Sequence, residues 1–178
     1  MAVVKLFYGS TNGNTQSAAH LIKAALGDLL SDVNNIAVAS TRDLQDADVL
    51  ILGVSTWERG ALQRDWAHFL PQMDGLDLRG KKVALFGLGD AKAFSGLFVN
   101  ALRILHDTAR ERGAEIIGAW PADGYDFAYS AALEGDHFVG LVIDEENQSD
   151  LTVDRVGRWA ALLRPYLTGR AANDEVIG

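Results

Sequence analysis

Short apolar runs rich in β-forming residues alternate along the chain with stretches whose apolar residues recur at helical spacing, and this alternation limits the fold more than any other feature. The predicted strands are residues 3–8, 36–39, 49–54, 83–88 and 116–120. The helical patterns lie within residues 18–29, 98–109 and 153–163. This order predicts an α/β fold in which helices cover both faces of a parallel sheet. The near-continuous apolar strands agree, because parallel strands are buried on both sides.

One segment, residues 121–140, breaks the alternation. It is rich in Gly, Ala, Asp and aromatic residues and lies between the strand predicted to end at Trp120 and a further apolar run at 138–143. We interpret it as an insertion at the fifth strand. Pro165 predicts that the last helix ends or kinks there. No linker divides the sequence, so we expect one domain over residues 1–168 and a flexible tail at 169–178.

The charge balance limits the kinds of partner. The chain has 178 residues, with 16 Lys and Arg against 24 Asp and Glu, and a formal net charge of −8. No basic run is long enough to follow a phosphate backbone, so we do not expect nucleic acid as a partner. No stretch approaches the roughly 18 apolar residues that a membrane-spanning helix needs, and the N-terminus has no signal-peptide pattern. The sequence therefore predicts a cytoplasmic protein without a membrane partner.

The sequence contains no cysteine. This excludes disulfides, thiolate nucleophiles and cysteine-ligated iron–sulfur clusters. Any redox role must therefore depend on a bound organic cofactor or on another metal. The histidines show no spacing typical of metal ligands, so we expect no metal site from them. They are His20, His68, His106 and His137.

The loop after the first strand has the composition of an anion site. Residues 9–15, with the sequence Gly-Ser-Thr-Asn-Gly-Asn-Thr, lead directly into the first helix. Backbone N–H groups at a helix N-terminus are unpaired and carry partial positive charge, and hydroxyl groups in the loop add donors. A nucleoside-triphosphate loop would have Lys where Asn14 stands, so the pattern favours a single phosphate monoester. An ordinary strand-to-helix turn capped by Ser, Thr and Asn is the alternative.

Two further loops, residues 55–60 and 87–94, follow the third and fourth predicted strands. In a doubly wound sheet the carboxyl ends of parallel strands meet at one edge, so we expect all three loops to line one crevice. They carry Trp57 and Phe94, and an aromatic pair suits a flat heteroaromatic ligand. Packing alone is the alternative for both rings. The later loop begins like a dinucleotide fingerprint, but Lys92 stands where the third glycine belongs.

Three motifs, taken in order, resemble those of the flavodoxin family and specifically its long-chain group. The first, residues 10–15, is similar to the phosphate loop of the family. The second comprises Thr56, Trp57, Gly60, Asp65 and Trp66. The third comprises residues 123–127, 138–141 and 144–152, which are similar to the long-chain insertion and the run that follows it. Together the motifs extend the resemblance over residues 3–167.

The resemblance implies a flavodoxin-like doubly wound five-stranded parallel sheet of order 2-1-3-4-5, with helices on both faces and an insertion at the fifth strand. It implies FMN as the cofactor, with the isoalloxazine between Trp57 and Phe94. Flavodoxins themselves exemplify the rule that ligands bind where the strand order reverses. The residues predicted to bind FMN are Ser10, Thr11, Asn12, Gly13, Asn14, Thr15, Ser55, Thr56, Trp57, Glu58, Arg59, Gly60, Leu88, Gly89, Asp90 and Phe94.

The function implied by the resemblance is that of a low-potential one-electron carrier, not an enzyme, in which FMN shuttles between semiquinone and hydroquinone. Its partners would be a reductase of the flavodoxin or ferredoxin type as donor and a low-potential protein as acceptor. Acidic residues near the three loops predict that a partner protein docks there with a basic face of its own. These residues are Glu58, Asp65, Asp123, Asp126, Asp144, Glu145 and Glu146. The chain itself is expected to be a monomer.

Two other functions remain open on the same sequence. One is an FMN-dependent quinone or azo reductase on the same fold, which would complete its substrate pocket at a subunit interface. The other is a flavin-free interaction module, which would have a folded core but no affinity for FMN. The insertion at the fifth strand favours the carrier over the reductase, because it resembles that of long-chain carriers.

The chain departs from the family pattern at three positions of the site. Asn12 stands where Thr is usual, Ala91 where Gln is common, and Phe94 where a Tyr stacks on the flavin. A phenyl ring can cover a flavin face but lacks the phenol. In addition, neither Glu58 nor Arg59 is the glycine that lets a peptide rotate at low cost. The resemblance therefore predicts a semiquinone that is stabilised less than in a glycine-bearing turn.

Overall fold

A computed structural model of the protein describes residues 2–168. The strands are β1 (Val4–Tyr8), β2 (Asp32–Asn35), β3 (Val49–Trp57), β4 (Ala61–Leu62), β5 (Lys82–Leu88), β6 (Glu115–Ile117), β7 (Trp120–Pro121), β8 (Leu133–Glu134), β9 (His137–Phe138) and β10 (Leu141–Ile143). The helices are α1 (Asn14–Leu26), α2 (Thr41–Gln45), α3 (Arg64–Phe69), α4 (Asn100–Glu111), α5 (Glu145–Gln148) and α6 (Thr152–Leu167). The tail predicted at 169–178 lies outside the described residues.

The main sheet runs in the order β2, β1, β3, β5, and both β6 and β10 pair with β5. All of these pairings are parallel. The predicted order 2-1-3-4-5 is confirmed, because β5 takes the fourth place and β6 and β10 together take the fifth. β6 pairs with the first half of β5 and β10 with its second half. The short strand β4 pairs antiparallel with β3.

The insertion lies between the two halves of the fifth strand, as predicted. It contains a small antiparallel sheet in the order β7, β9, β8. Aromatic rings with centroids 5.2–6.1 Å apart join the insertion to the segment before α4, and they are Phe98, Tyr125, Phe127 and Phe138. The Tyr125 hydroxyl donates to the carbonyl of Val142 in β10 at 2.5 Å. Burial raises the pKa of Tyr125 to about 12, so the phenol remains a donor at neutral pH.

The second strand lies earlier in the chain than predicted. The strand predicted at 36–39 is wrong, since β2 covers Asp32–Asn35 and residues 36–38 form a 3₁₀ turn. β2 is a mostly polar, partly buried edge strand, so it shows no apolar run. Ile36 is apolar because its side chain enters the core from the turn. Asn35 stabilises the turn by accepting a hydrogen bond from the Ala37 N–H at 2.9 Å.

The helices differ from the sequence prediction in two respects, the end of the last helix and the presence of short helices. α6 continues through Pro165 to Leu167, so the proline lies in the last turn rather than at the end of the helix. There it removes one terminal N–H bond of the ladder. Helices α2, α3 and α5 have no predicted counterpart, because four to six residues are too few to show a helical period. Within residues 2–168, no helix combines the length and the apolar composition that crossing a bilayer requires.

Glycines allow the fifth strand to leave the sheet and return to it beneath α6. Gly118, directly after β6, accepts a hydrogen bond at its carbonyl from the buried Trp159 indole at 2.9 Å. Gly140, directly before β10, lies so close to β5 that a Cβ would be 2.1 Å from the carbonyl oxygen of Leu85. A side chain at position 140 would therefore displace the backbone of a central strand.

We expect Gly140→Ala to lower the free energy of unfolding by about 2–4 kcal/mol, because the new methyl group collides with backbone that cannot move aside. Gly157→Ala in α6 is the matched control, since a Cβ there meets nothing within 4 Å. The control should stabilise the protein by roughly 0.5–1 kcal/mol, as alanine does in helices. Urea unfolding followed by circular dichroism measures both effects. Equal stability of the two variants would contradict the close approach at Gly140.

Candidate functional site

Three loops meet at the carboxyl edge of the main sheet, where they follow β1, β3 and β5. They surround a crevice with a volume of about 260 Å³ that is open to solvent on one side. The predicted residues that line the crevice are Asn12, Asn14, Ser55, Thr56, Trp57, Leu88, Gly89, Asp90 and Phe94. The fold thus brings all three predicted loops to one space.

The other predicted residues lie in the same loops but are not among those lining the crevice. Glu58, Arg59 and Gly60 form the turn between β3 and β4. Those of the first loop are Ser10, Thr11, Gly13 and Thr15, of which Thr15 is buried. In the described part of the chain, no group of three or more His, Asp or Glu side chains is arranged to hold a metal ion.

Side chains of the first loop hold its backbone in shape. Ser10 Oγ accepts hydrogen bonds from the N–H of Gly13 at 3.1 Å and of Gln16 at 3.4 Å. The Asn12 side chain accepts from the N–H of Asn14 at 3.1 Å. Gly13 has φ 90°, in the left-handed region that favours glycine, and α1 begins directly after it. Because the helix N-terminus adds partial positive charge and the Ser10 proton is still free to donate, the loop suits an anion.

Gln63 and Trp66 support the first loop from within the protein. A Cβ on Gly9 would lie 2.2 Å from Gln63 Oε1 and 2.7 Å from the Trp66 ring, so the loop rests directly on these two buried side chains. Gln63 Nε2 donates to Thr11 Oγ1 at 3.2 Å and to Asp65 Oδ2 at 2.9 Å. Sequence reasoning misses Gln63, because a single glutamine 52 residues from its partner carries no local signal.

The end of β3 contributes an aromatic ring and a strained turn. Trp57 is 39% exposed, and its indole N–H donates to Ser55 Oγ at 2.9 Å. Trp57 also pairs with Ala61 in the hairpin of β3 and β4. In the turn of that hairpin, Arg59 has φ 58° and Gly60 has φ 78°. The left-handed conformation of Arg59 costs about 1–2 kcal/mol, so the turn holds backbone strain beside the crevice.

The third loop closes around the carboxylate of Asp90. Asp90 Oδ1 accepts from the N–H of Lys92 at 3.1 Å, the N–H of Ala93 at 2.9 Å and the side chain of Asn147 at 2.9 Å. These bonds, above all the one from Ala93, hold the pKa of Asp90 below its usual range. The ionised carboxylate therefore fixes the turn that carries Phe94, whose ring is 42% exposed on the crevice wall.

Asp144 ties the third loop to α5. Its side chain is buried, with Oδ2 accepting from the Ala91 N–H at 3.1 Å and Oδ1 from the Asn147 N–H at 3.1 Å. The sequence pattern predicts Asp144 in an acidic docking face, and that prediction is wrong, because a buried carboxylate cannot meet a partner. Asp144 instead caps α5 and holds the loop that carries Phe94.

The wall contributed by α5 is acidic. Glu145 and Glu146, in the first turn of that helix, line the crevice beside the three loops. Among the described residues that line it, none is Lys or Arg. From the sequence, both glutamates are predicted to take part in docking and are not among the residues predicted to bind FMN. Their place on the wall follows from the cap at Asp144, which starts α5 at the crevice.

Comparisons with known proteins agree with this geometry. A family model described as Flavodoxin matches residues 6–159. Flavodoxin 1 of Salmonella typhimurium is 45% identical over 160 residues, which cover 89% of this chain and 91% of the relative. A flavodoxin of a Nostoc species is 42% identical over 161 residues, which cover 90% of this chain and 95% of the relative.

One solved structure is similar to this chain along almost the whole length of both proteins. It is the crystal structure of a Fusobacterium nucleatum flavodoxin bound to flavin mononucleotide, with a TM-score of 0.87 and 28% sequence identity. The alignment covers 93% of this chain and 99% of that chain. Family model, relatives and fold therefore agree over the sheet and its three loops. The chain belongs to the flavodoxin family.

Proposed function

We propose that this flavodoxin binds FMN and carries single electrons between redox proteins, without catalysing a reaction of its own. The observation that carries the proposal is the crevice, which has an anion-binding loop and two half-exposed aromatic rings at one sheet edge. The similar Fusobacterium nucleatum protein is described as bound to flavin mononucleotide. The residues of the first loop and the aromatic rings of the crevice fit that cofactor.

The phosphate of FMN fits the first loop. Backbone N–H groups at the start of α1 and the hydroxyls of Ser10 and Thr11 are suited to donate to it. Thr11 Oγ1 already accepts from Gln63, which sets the position of the hydroxyl and leaves its proton for the ligand. Asn12, in place of the usual Thr, accepts through its carbonyl oxygen and keeps its NH₂ donors. The neutral loop would therefore hold the phosphate dianion by hydrogen bonds alone.

The isoalloxazine fits the aromatic part of the crevice, where Trp57 and Phe94 expose ring surface. Phe94 would cover a flavin face without the phenol of the usual Tyr. The resemblance assigns the pyrimidine edge to backbone N–H groups near Gly89 and Asp90. The Gly89 N–H already donates to the Ile143 carbonyl at 3.2 Å, so we assign the bond to the N–H of Asp90.

When bound, FMN supplies the one-electron chemistry, and the charges around the crevice set its potentials. Glu145 and Glu146 line the site, and the chain has a net charge of −8. The second electron would add net negative charge to the ring near these carboxylates, and the repulsion there is stronger than in bulk water. This repulsion supports a low potential for the second electron, and hence a cycle between semiquinone and hydroquinone.

The first electron depends on the turn after β3. By resemblance, the carbonyl between Glu58 and Arg59 turns toward the flavin when the ring is reduced. Arg59 already lies at φ 58° and ψ 26°, a conformation that costs a non-glycine residue about 1–2 kcal/mol. We therefore propose that this turn stabilises the semiquinone less than a glycine-bearing turn does.

We propose that redox partners dock over the crevice through a basic face. Trp57 and Phe94 leave apolar area exposed at its mouth, and Glu146, Asp123 and Asp126 are exposed acidic side chains. Opposite charges steer such partners together and fix their orientation. The reductase-type donor, the low-potential acceptor, the monomeric state, the cytoplasmic location and a single domain over 1–168 stay predictions from the sequence.

An anaerobic reductive titration of the protein with FMN, followed by visible absorbance and combined with size exclusion, tests the proposal. We expect one bound FMN per chain and two well-separated one-electron steps in a monomer. Direct two-electron bleaching in an oligomer would indicate the quinone or azo reductase instead. A folded protein that fails to bind FMN would indicate the flavin-free interaction module.

We expect Ser10→Ala to weaken FMN binding by about 5- to 150-fold. The substitution leaves two loop N–H groups without their acceptor and removes a donor to the phosphate, a loss of about 1–3 kcal/mol. Riboflavin, which lacks the phosphate, should bind variant and wild type equally. Ser31→Ala, in the exposed segment before β2, is the control. Quenching of flavin fluorescence measures all of these affinities, and equal weakening for both flavins would contradict the phosphate site.

We expect Glu146→Gln to raise the midpoint potential of the second electron by tens of millivolts. A unit charge roughly 10 Å from the ring contributes somewhat less than ~1 kcal/mol at an effective dielectric near 40. The control is Glu111→Gln, an exposed carboxylate at the far end of α4, which should change the potential by only a few millivolts. Spectroelectrochemical titration at low salt measures both, and equal shifts would refute a local effect of the acidic wall.

A further inference from the structure

The first turn of α4 contacts each of two flavin-site loops and the insertion. The Ala101 N–H donates to Thr56 Oγ1, at the end of β3, at 3.0 Å. Val99 lies directly before the helix, and its Cγ1 is 3.0 Å from the position that a Cβ on Gly89 would take. Val99 is buried and has φ 49°, which is rare for a β-branched residue. The backbone on both sides of Asn100 is therefore held tightly.

Asn100, between these two residues, covers the turn after β3. A Cβ on Gly60 would lie 3.2 Å from the Cβ of Asn100 and 3.3 Å from its Nδ2. Gly60 is buried and has φ 78°, and its α-carbon packs closely against the Asn100 side chain. This contact fixes the last residue of the turn formed by Glu58, Arg59 and Gly60.

The same carboxamide holds the insertion. Asn100 Oδ1 accepts a hydrogen bond from the backbone N–H of Ala131 at 2.8 Å. Ala131 is partly buried and lies two residues before β8, in the small sheet of the insertion. One uncharged side chain thus touches both the turn beside the crevice and the segment that interrupts the fifth strand.

We propose that Asn100 is a positioning residue that couples the insertion to the turn after β3 and so restrains how that turn rearranges on one-electron reduction. The inference rests on the proposed function, because the rearrangement accompanies reduction of bound FMN. With Gly60 fixed, rotation of the peptide between Glu58 and Arg59 must be absorbed by Arg59, which is already left-handed. Releasing Gly60 lets the turn share that strain.

The coupling predicts which potential responds. Asn100 is uncharged, so its replacement by Ala changes the freedom of the turn and leaves the electrostatic repulsion at the crevice as it was. Asn100→Ala should therefore raise the midpoint potential of the first one-electron step and leave that of the second unchanged. Ser95→Ala is the matched control. Ser95 Oγ accepts a hydrogen bond from the Ala128 N–H at 2.7 Å, so this substitution loosens another part of the insertion.

The first experiment needs no cofactor and measures amide hydrogen exchange in the FMN-free protein. We expect Asn100→Ala to speed exchange at Ala131 by roughly fivefold, the factor for one lost hydrogen bond of about 1 kcal/mol. Exchange at residues 59–62 should also become faster, because the turn loses the packing of the carboxamide on Gly60. Asn100→Asp, which keeps the acceptor and the shape, should restore wild-type exchange at both places. Ser95→Ala should speed exchange in the insertion only. Faster exchange at Ala131 with an unchanged turn would overturn the coupling.

The second experiment measures both midpoint potentials of the FMN-loaded variants by spectroelectrochemistry. A rise in the first potential for Asn100→Ala but not for Ser95→Ala supports the proposal, and no change, a fall or an equal change in both variants overturns it. Asn100→Ser, which also removes the carboxamide from Gly60 and Ala131, replaces Asn100→Ala should the latter not fold. If wild type itself binds no FMN, the proposed function fails, while the exchange experiment still decides whether Asn100 couples the two segments.

Discussion

The parallel pairing of β1, β3 and β5 is the constraint on which the site depends. Parallel neighbours end at the same edge of a sheet, so three loops that are distant in sequence must meet there. Beyond the ladder, backbone N–H groups are free to bind a ligand, and the start of α1 adds partial positive charge. An anion site therefore forms beside aromatic rings although no basic side chain lines the crevice in the described residues.

The loops of the crevice keep their shape because residues outside them supply hydrogen bonds and packing contacts. Gln63 braces the first loop, Asp144 and Asn147 hold the third, and Asn100 covers the turn after β3. Each of these side chains is polar and has a hydrogen-bond partner, so the loops have their shape before a ligand binds. Such pre-organisation limits how much of these loops has to move when a ligand binds.

The sequence predicted the parts of the site that have a local signature. The loop at residues 10–15 is recognisable because glycine and hydroxyl residues stand between a strand and a helix. Trp57 and Phe94 are recognisable because they follow apolar strands. Gln63 and Glu145 are not, since their roles come from neighbours far along the chain. Asp144 was misassigned for the same reason, because an acidic run has the same sequence pattern on a surface as at a buried helix cap.

By itself, the sequence determined the α/β class, the insertion at the fifth strand and the three loops of the site, because periodicity and loop composition act over a few residues. The strand order was implied only by the resemblance to flavodoxins. Only the tertiary structure decided that β2 precedes Ile36, that the fifth strand divides around Gly118 and Gly140, and that α5 forms an acidic wall. Those outcomes depend on close packing and burial between distant segments, which no local pattern encodes.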